Sequence, residues 1–173
     1  LKPENNITRE IGAGIQLDGL LTGNDRLQLK GGYFGTDARN YIATRVDMKR
    51  MRSYSYNVSR ARIWGWDMQG NYQSDYFDWM LSYNRTESMD ASSREWLGSG
   101  NPDTLISDIS IPVGHGGVSA GWRAELSAAA THVKKGDPHQ AGYAVHSFSL
   151  SYKPVSVKGF EASVTLDNAF NKL

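Results

Sequence analysis

Gly142-Tyr-Ala-Val-His146-Ser-Phe-Ser-Leu-Ser-Tyr152-Lys-Pro154, then Val155-Ser-Val-Lys158, then Gly159-Phe-Glu-Ala-Ser-Val-Thr-Leu-Asp-Asn-Ala-Phe-Asn-Lys-Leu173, decides how the rest of the chain is read. In its first half Phe148, Leu150 and Tyr152 alternate with Ser147, Ser149 and Ser151. In its second half Phe160, Ala162, Val164 and Leu166 alternate with Glu161, Ser163, Thr165 and Asp167. Successive side chains of a strand point to opposite faces, so each half is a strand with one apolar and one polar face. The short link carrying Pro154 makes the pair an antiparallel hairpin. Two environments suit such a ribbon. In a soluble sandwich the apolar face packs on a second sheet. In an outer-membrane barrel it meets lipid while the polar face lines a wet lumen. Glu161 and Asp167 among small hydroxyls suit the lumen, and Tyr152 with Phe160 at the link end suits an aromatic girdle. The hairpin by itself leaves both readings open.

The totals narrow the classes. The 173 residues carry a net charge of +1 and no cysteine. Strong electrostatic attraction to nucleic acid, a disulfide framework and thiolate chemistry are therefore not indicated. No run of about 18 apolar residues is present, so no transmembrane helix is expected. A mean hydropathy of −0.51 does not argue against a barrel, because lumen residues dilute lipid-facing ones. The residues from Leu1 onward are not expected to act as a signal peptide.

The same alternation predicts strands over residues 7–18, 27–45, 63–72, 77–84, 117–122 and 126–131, besides the two of the hairpin. That makes an all-β antiparallel meander of about eight strands. Tight turns are expected near Gly23, Ser74, Arg123-Ala124-Glu125 and Pro154. Longer loops are expected over residues 49–56, 87–111 and 134–140. Short links at one end and long ones at the other are the asymmetry of bacterial barrels, whose long loops are extracellular. Counted from the turns, Trp122, Leu126, Tyr152 and Phe160 fall at one depth with Tyr72 and Phe77, as a lower girdle would.

Three short motifs add a resemblance. Leu1-Lys2-Pro3-Glu4 with Glu10-Ile11-Gly12, then Gly65-Trp66-Asp67, then Asp167-Asn168-Ala169-Phe170-Asn171-Lys172 occur in that order. Together they resemble signatures of TonB-dependent outer-membrane receptors: Asn-Pro-Asn-Leu-Lys-Pro-Glu with Glu-x-Gly, Gly-x-Glu, and Asn-Leu-Phe-Asn/Asp-Lys. Asp67 and Ala169 are mild departures. The resemblance implies a barrel of about 22 strands with a plug in its lumen, of which residues 1–173 are a single segment, the plug and the last strand lying outside it. It also implies the Gram-negative outer membrane, lipid and lipopolysaccharide around the wall, and the TonB–ExbB–ExbD complex acting through the plug. The work implied is uptake of haem or a ferric siderophore, with no intrinsic cofactor and no catalysis. Haem and haemophore receptors are the most similar subtype, which makes a haemophore or haem protein a further partner at the loops. In them a haem-ligating histidine precedes the first signature, so that role passes to no residue here.

Candidate contacts lie in the expected outer loops. Lys49, Arg50, Arg52, Tyr54 and Tyr56 form a basic aromatic cluster suited to an anionic siderophore, haem propionates or a lipopolysaccharide phosphate; a solvated loop is the plain alternative. Trp96 is a partner anchor or local packing. His115 and His139 are ligand contacts or polar loop residues. His132 and His146 are expected on the lipid side as cross-strand neighbours. Asp78, Glu161 and Asp167 face the lumen and pair with Lys30 or nearby cations. Two rivals stand beside the transporter segment: a complete eight-stranded barrel acting as anchor or adhesin, and a soluble carbohydrate-binding β-sandwich. A barrel protease or lipase has only His115 with Asp103 or Asp108 to build on.

Overall fold

The computed structural model of the chain describes residues 1–47, 49–98 and 102–172. Eight strands follow one another within them: β1 (Asn5–Asp18), β2 (Arg26–Asp47), β3 (Arg52–Gln73), β4 (Asp78–Asp90), β5 (Thr104–Val113), β6 (Val118–Ser127), β7 (Tyr143–Tyr152) and β8 (Ala162–Leu166). They form one antiparallel sheet in chain order. Among the described residues β1 and β8 do not pair, so the sheet is open. Neither a closed eight-stranded barrel nor a two-sheet sandwich is formed.

Register sorts the side chains. Ile11, Tyr33 and Trp66 stand abreast on β1–β3, as do Ile15, Leu29, Gly70 and Leu81 on β1–β4. Across the other half Ile109, Trp122, Phe148 and Leu166 stand in one row. The alternate rows, such as Gln16, Gln28 and Asn71, or Asp108, Arg123 and Ser147, are polar. Among the described residues no second sheet packs on the apolar face: Ile11 is 75% exposed, Trp66 44% and Phe148 42%. No large side chain is fully buried among the described residues. A continuous apolar face of this kind marks a surface made for another medium or partner.

Three connections differ from the sequence expectation. The loop expected over residues 49–56 shrinks to a turn at residues 49–51, because Arg52, Ser53, Tyr54, Ser55 and Tyr56 already belong to β3. Small polar residues alternating with β-favouring tyrosines make a strand with both faces wet. The loop expected over residues 87–111 contains the end of β4 and most of β5; residues 99–101 lie outside the described residues. The turn expected at Arg123-Ala124-Glu125 does not exist. β6 runs straight through, with Arg123 donating to Asp108 at 3.2 Å on β5, and the strand expected over residues 126–131 is reduced to a bridge between Ala130 and Gln140. The real tight turn is Gly114-His115-Gly116-Gly117. The depths change with it: Tyr152 faces Val118, whereas Trp122 faces Phe148 and Leu126 faces Ala144. Tyr152 and Phe160 do meet edge to face, at 6.5 Å. The links at residues 19–25, 74–77, 114–117 and 153–161 share one end of the sheet, and the described residues 91–98 and the link at 128–142 rise from the other. These are called here the turn end and the loop end.

Each sequence motif has a structural task. β1 stops at Asn5, opposite Arg39, which leaves the upper edge of β2 without a neighbour on that side. Glu4 covers part of it, accepting the Ile42 amide at 2.8 Å. At Asn40, with φ 53°, the β2–β3 ladder skips one residue on each strand without a change of register. Asn57 fastens both pieces, donating to the carbonyls of Asn40 at 2.6 Å and Lys2 at 3.1 Å. At the far end Asn168, also at positive φ, closes the turn after β8 by accepting the Lys172 amide at 2.8 Å. That turn lays Phe170 on the apolar face against His146 and Phe148. Asp25 organises the first turn: its carboxylate accepts amides of Leu20, Leu21 and Thr22 at 2.6, 2.7 and 3.0 Å and the Tyr72 hydroxyl at 2.8 Å. Burial by itself raises the pKa of Asp25, but these donors outweigh it and hold the group below the ordinary carboxylate range.

Candidate functional site at the loop end

The β2–β3 ribbon is the tallest element, because both strands have 22 residues where β1 has 14. Its tip therefore stands above the rest of the loop end. Arg52, Tyr54 and Tyr56 share one face of the ribbon, with Arg45 directly opposite Tyr54, and Arg50 lies in the tip turn. The loop at 128–142 leans across to this face. Lys134 Nζ sits 4.8 Å from the Tyr56 ring centroid and donates to the Thr44 carbonyl at 3.3 Å. Lys135 stands 3.9 Å from Glu95 of the other long loop. Arg45, Tyr54, Tyr56, Lys134, Lys135 and Glu95 line one shallow cleft. A cation over a tyrosine face is a modest attraction, about 0.5–1 kcal/mol at an exposed site. Its larger consequence is geometric, since it joins the ribbon to a loop far along the chain.

The two long loops are locked to each other and to the wall. Trp96 and His132 stack at 4.0 Å with planes 6° apart, and Trp64 of β3 lies 6.1 Å from Trp96. His132 Nδ1 is 2.8 Å from Glu87, which Arg85 also holds at 2.9 Å. Arg85 reaches Asp103 at 3.4 Å, and the Tyr83 hydroxyl donates to Asp103 at 3.0 Å. Trp96 is therefore used in local packing. His132 and His146 are not cross-strand neighbours, because His146 faces Ala124 and stacks on Trp122 at 5.9 Å.

Of the expected contacts, Arg50, Arg52, Tyr54, Tyr56, Trp96 and His139 lie at the loop end, His139 in an exposed part of the loop at 128–142. His115 does not. The glycine-rich turn that holds it is at the turn end, because β5 and β6 pair from Val113–Val118 upward. A His115 pair with Asp108 or Asp103 is ruled out by the same placement. Glu161 finds Lys153 at 3.1 Å rather than Lys30. Arg45, Glu95, Lys134 and Lys135 are the cleft residues that sequence reasoning missed; the Lys134-Lys135 doublet was the available signal. Among the described residues no three metal-ligating side chains converge. The cleft offers instead cations and aromatic faces, which suit carboxylates on a flat ring system.

Comparison with known proteins bears on the whole sheet. Residues 1–171 match the profile of the TonB-dependent receptor-like β-barrel. The chain is 43% identical over 173 residues to a "Hemin receptor" of Yersinia pestis, covering 99% of this chain and 25% of that protein. It is 40% identical over 184 residues to a "Hemin receptor" of Yersinia enterocolitica, covering 99% and 27%. The chain thus spans about a quarter of the length of these relatives. Among solved structures, "Copper transporter OprC" superposes with a TM-score of 0.78 at 22% identity, over 99% of this chain and 26% of that one. An "FrpB iron transporter" from Neisseria meningitidis superposes at 0.72 and 15% identity, over 99% and 28%. At such identities these two speak to the fold alone.

Proposed function

Because the chain belongs to the TonB-dependent receptor-like β-barrel family, we propose that it forms part of the wall and outer loops of a receptor that takes up haem across the Gram-negative outer membrane. In this reading the apolar face meets lipid and the polar face lines the lumen of a barrel of about 22 strands. The loop end is extracellular. The observation that carries it is the open, one-sided sheet: an apolar face with no second sheet over it among the described residues, opposite a polar face. The resemblance to hemin receptors at 43% and 40% identity supports haem over other iron complexes. Transport would draw on the TonB–ExbB–ExbD complex through a plug domain, and a haemophore or haem protein would dock at the loops. Binding and translocation, not catalysis, are the tasks assigned to this segment.

Within the segment Tyr54, Tyr56, Arg45, Arg52 and Lys134 would receive haem: tyrosine faces for the ring, cations for the propionates. Arg50, Trp96 and His139 border the same rim. The test uses the intact receptor in a host that has no other haem receptor. Growth on haem as sole iron source is expected, and is lost when TonB is absent. The double variant Tyr56→Ala with Lys134→Ala is expected to weaken haem binding by about tenfold, since two contacts of about 0.5–1 kcal/mol each are removed. Growth on a ferric siderophore but not on haem would overturn the haem reading while leaving the receptor.

A further inference from the structure

Above the apolar belt, on the same face, the first three strands carry a cluster of arginines for which uptake has no use. Arg9, Arg39, Arg60 and Arg62 share the outward rows of β1–β3 with Asp37. Asp37 lies 3.5 Å from Arg9, 3.5 Å from Arg60 and 3.6 Å from Arg62. Three guanidinium groups thus surround one carboxylate, and Arg39 lines the surface beside them. These are long contacts, and the three bridging arginines remain 74%, 55% and 65% exposed. Asp37 gathers them without saturating them, since each guanidinium has five N–H donors. Glu87, opposite Trp64 on the same face, is already held by Arg85 and His132. A concave surface beneath the cluster is lined by Arg9, Arg62, Asp37, Tyr33, Trp64 and Met89, so the cations sit on an apolar floor.

The height of the cluster identifies its medium. On β3 the outward row runs Tyr72, Gly70, Met68, Trp66, Trp64, Arg62, Arg60. Tyr72 to Trp64 is eight steps of about 3.3 Å, or about 20 Å across the bilayer at a strand tilt of about 40°. Barrel walls carry an apolar band of about 25 Å between aromatic girdles. Trp64 and Trp66 are then the outer girdle, and Arg62 and Arg60 lie about 5 and 10 Å beyond it. That is the headgroup layer. Guanidinium forks there match the oxygens of a phosphate, and the apolar floor matches the start of acyl chains.

Resting on the outer-membrane reading above, we propose that Arg9, Arg39, Arg60 and Arg62 form a binding site for the phosphorylated headgroup of an outer-leaflet glycolipid of the lipid A type. The site clamps the lipid to the outside of β1–β3, below the haem cleft on the same ribbon, with Arg60 four residues from Tyr56 on β3.

The intact receptor, purified in non-ionic detergent, is titrated with diphosphoryl lipid A, with dephosphorylated lipid A and with inorganic phosphate, and bound lipid is counted by native mass spectrometry. The expected result is at least about tenfold tighter binding of the diphosphoryl form, not displaced by millimolar inorganic phosphate. The triple variant Arg9→Gln, Arg60→Gln, Arg62→Gln is expected to lose that preference, and the matching triple lysine variant to keep most of it. Equal binding of both lipid forms by the unaltered receptor would overturn the proposal. So would a glutamine triple that binds as well as the unaltered protein, or displacement by free phosphate. If the glutamine triple does not fold, the lipid comparison and the lysine triple still decide. A receptor that never enters a bilayer would defeat the outer-membrane reading instead, which heat-dependent migration of the inserted barrel reports separately.

Discussion

Replacing Met68 by arginine is expected to lower the stability of the folded barrel in phospholipid by about 2–4 kcal/mol, the cost of an arginine on a lipid face near the bilayer midplane. Met68 is midway along the outward row of β3 between Trp64 and Tyr72, flanked by Gly31 and Tyr83. Its side chain is 47% exposed with no protein layer over it. Gln69→Arg, one position on, projects to the polar face beside Lys30 and Ser82 and is expected to change stability by less than about 0.5 kcal/mol. Urea unfolding of the intact receptor in vesicles measures both. Adjacent residues with such unequal costs are what a sheet between lipid and water requires. In a sheet with water on both sides the two substitutions would cost the same.

Gly65→Val is expected to be as damaging, for a reason unrelated to lipid. A Cβ at Gly65 would overlap the Arg85 carbonyl oxygen and lie 2.6 Å from Cε1 of Phe34. Phe34 spreads its ring over the glycine from the neighbouring strand, and Gly65 is paired with both Phe34 and Thr86. A side chain there must displace both the ring and the β3–β4 ladder. Overpacking costs about 1–3 kcal/mol and lost ladder bonds add to it, so about 3 kcal/mol or more is expected. Gly31→Ala is the comparison: its Cβ would meet only Met68 Cγ, at 3.9 Å, and should fold normally. Phe34→Ala would not rescue Gly65→Val, because the Arg85 carbonyl remains. Thermal unfolding of the three variants checks this. The glycine in Gly65-Trp66-Asp67 is thus explained by close approach of ring and backbone, the situation in which strands use glycine.

What the sequence revealed follows from distance along the chain. Period-two alternation is local, so β1, the β7–β8 hairpin and the two faces were readable from their own residues. The same rule, applied too narrowly, hid β5. Leu105, Ser107, Ile109, Ile111 and Val113 share one face, but the preceding run rich in Gly, Asn and Pro, together with Pro112, read as loop. Arg123 and Glu125 around Ala124 read as a turn because charges usually mark one. In a wall whose inner row is wet they are ordinary strand residues, and Arg123 meets Asp108 there. The eight expected strands matched the eight observed because one missed strand offset one that was invented. At the loop end the individual basic and aromatic residues were legible, but their partners were not. Nothing near Trp96 announces His132, nor anything near Tyr56 announces Lys134, since such contacts depend on how two long loops fold across the wall.

The account rests on which medium touches the apolar face, and cysteine scanning of this segment, which has no cysteine of its own, makes that measurable. Single cysteines introduced from position 64 to 72 in the intact receptor, spin-labelled in vesicles, would be scanned for collision with oxygen, enriched in lipid, and with an aqueous nickel chelate. Even positions, which include Trp66, Met68 and Gly70, are predicted to favour oxygen, and odd positions, which include Asp67 and Gln69, the chelate, with a period of two. Even positions shielded from both reagents, or open to the chelate, would mean that protein or water covers this face, and the membrane-wall account would fail.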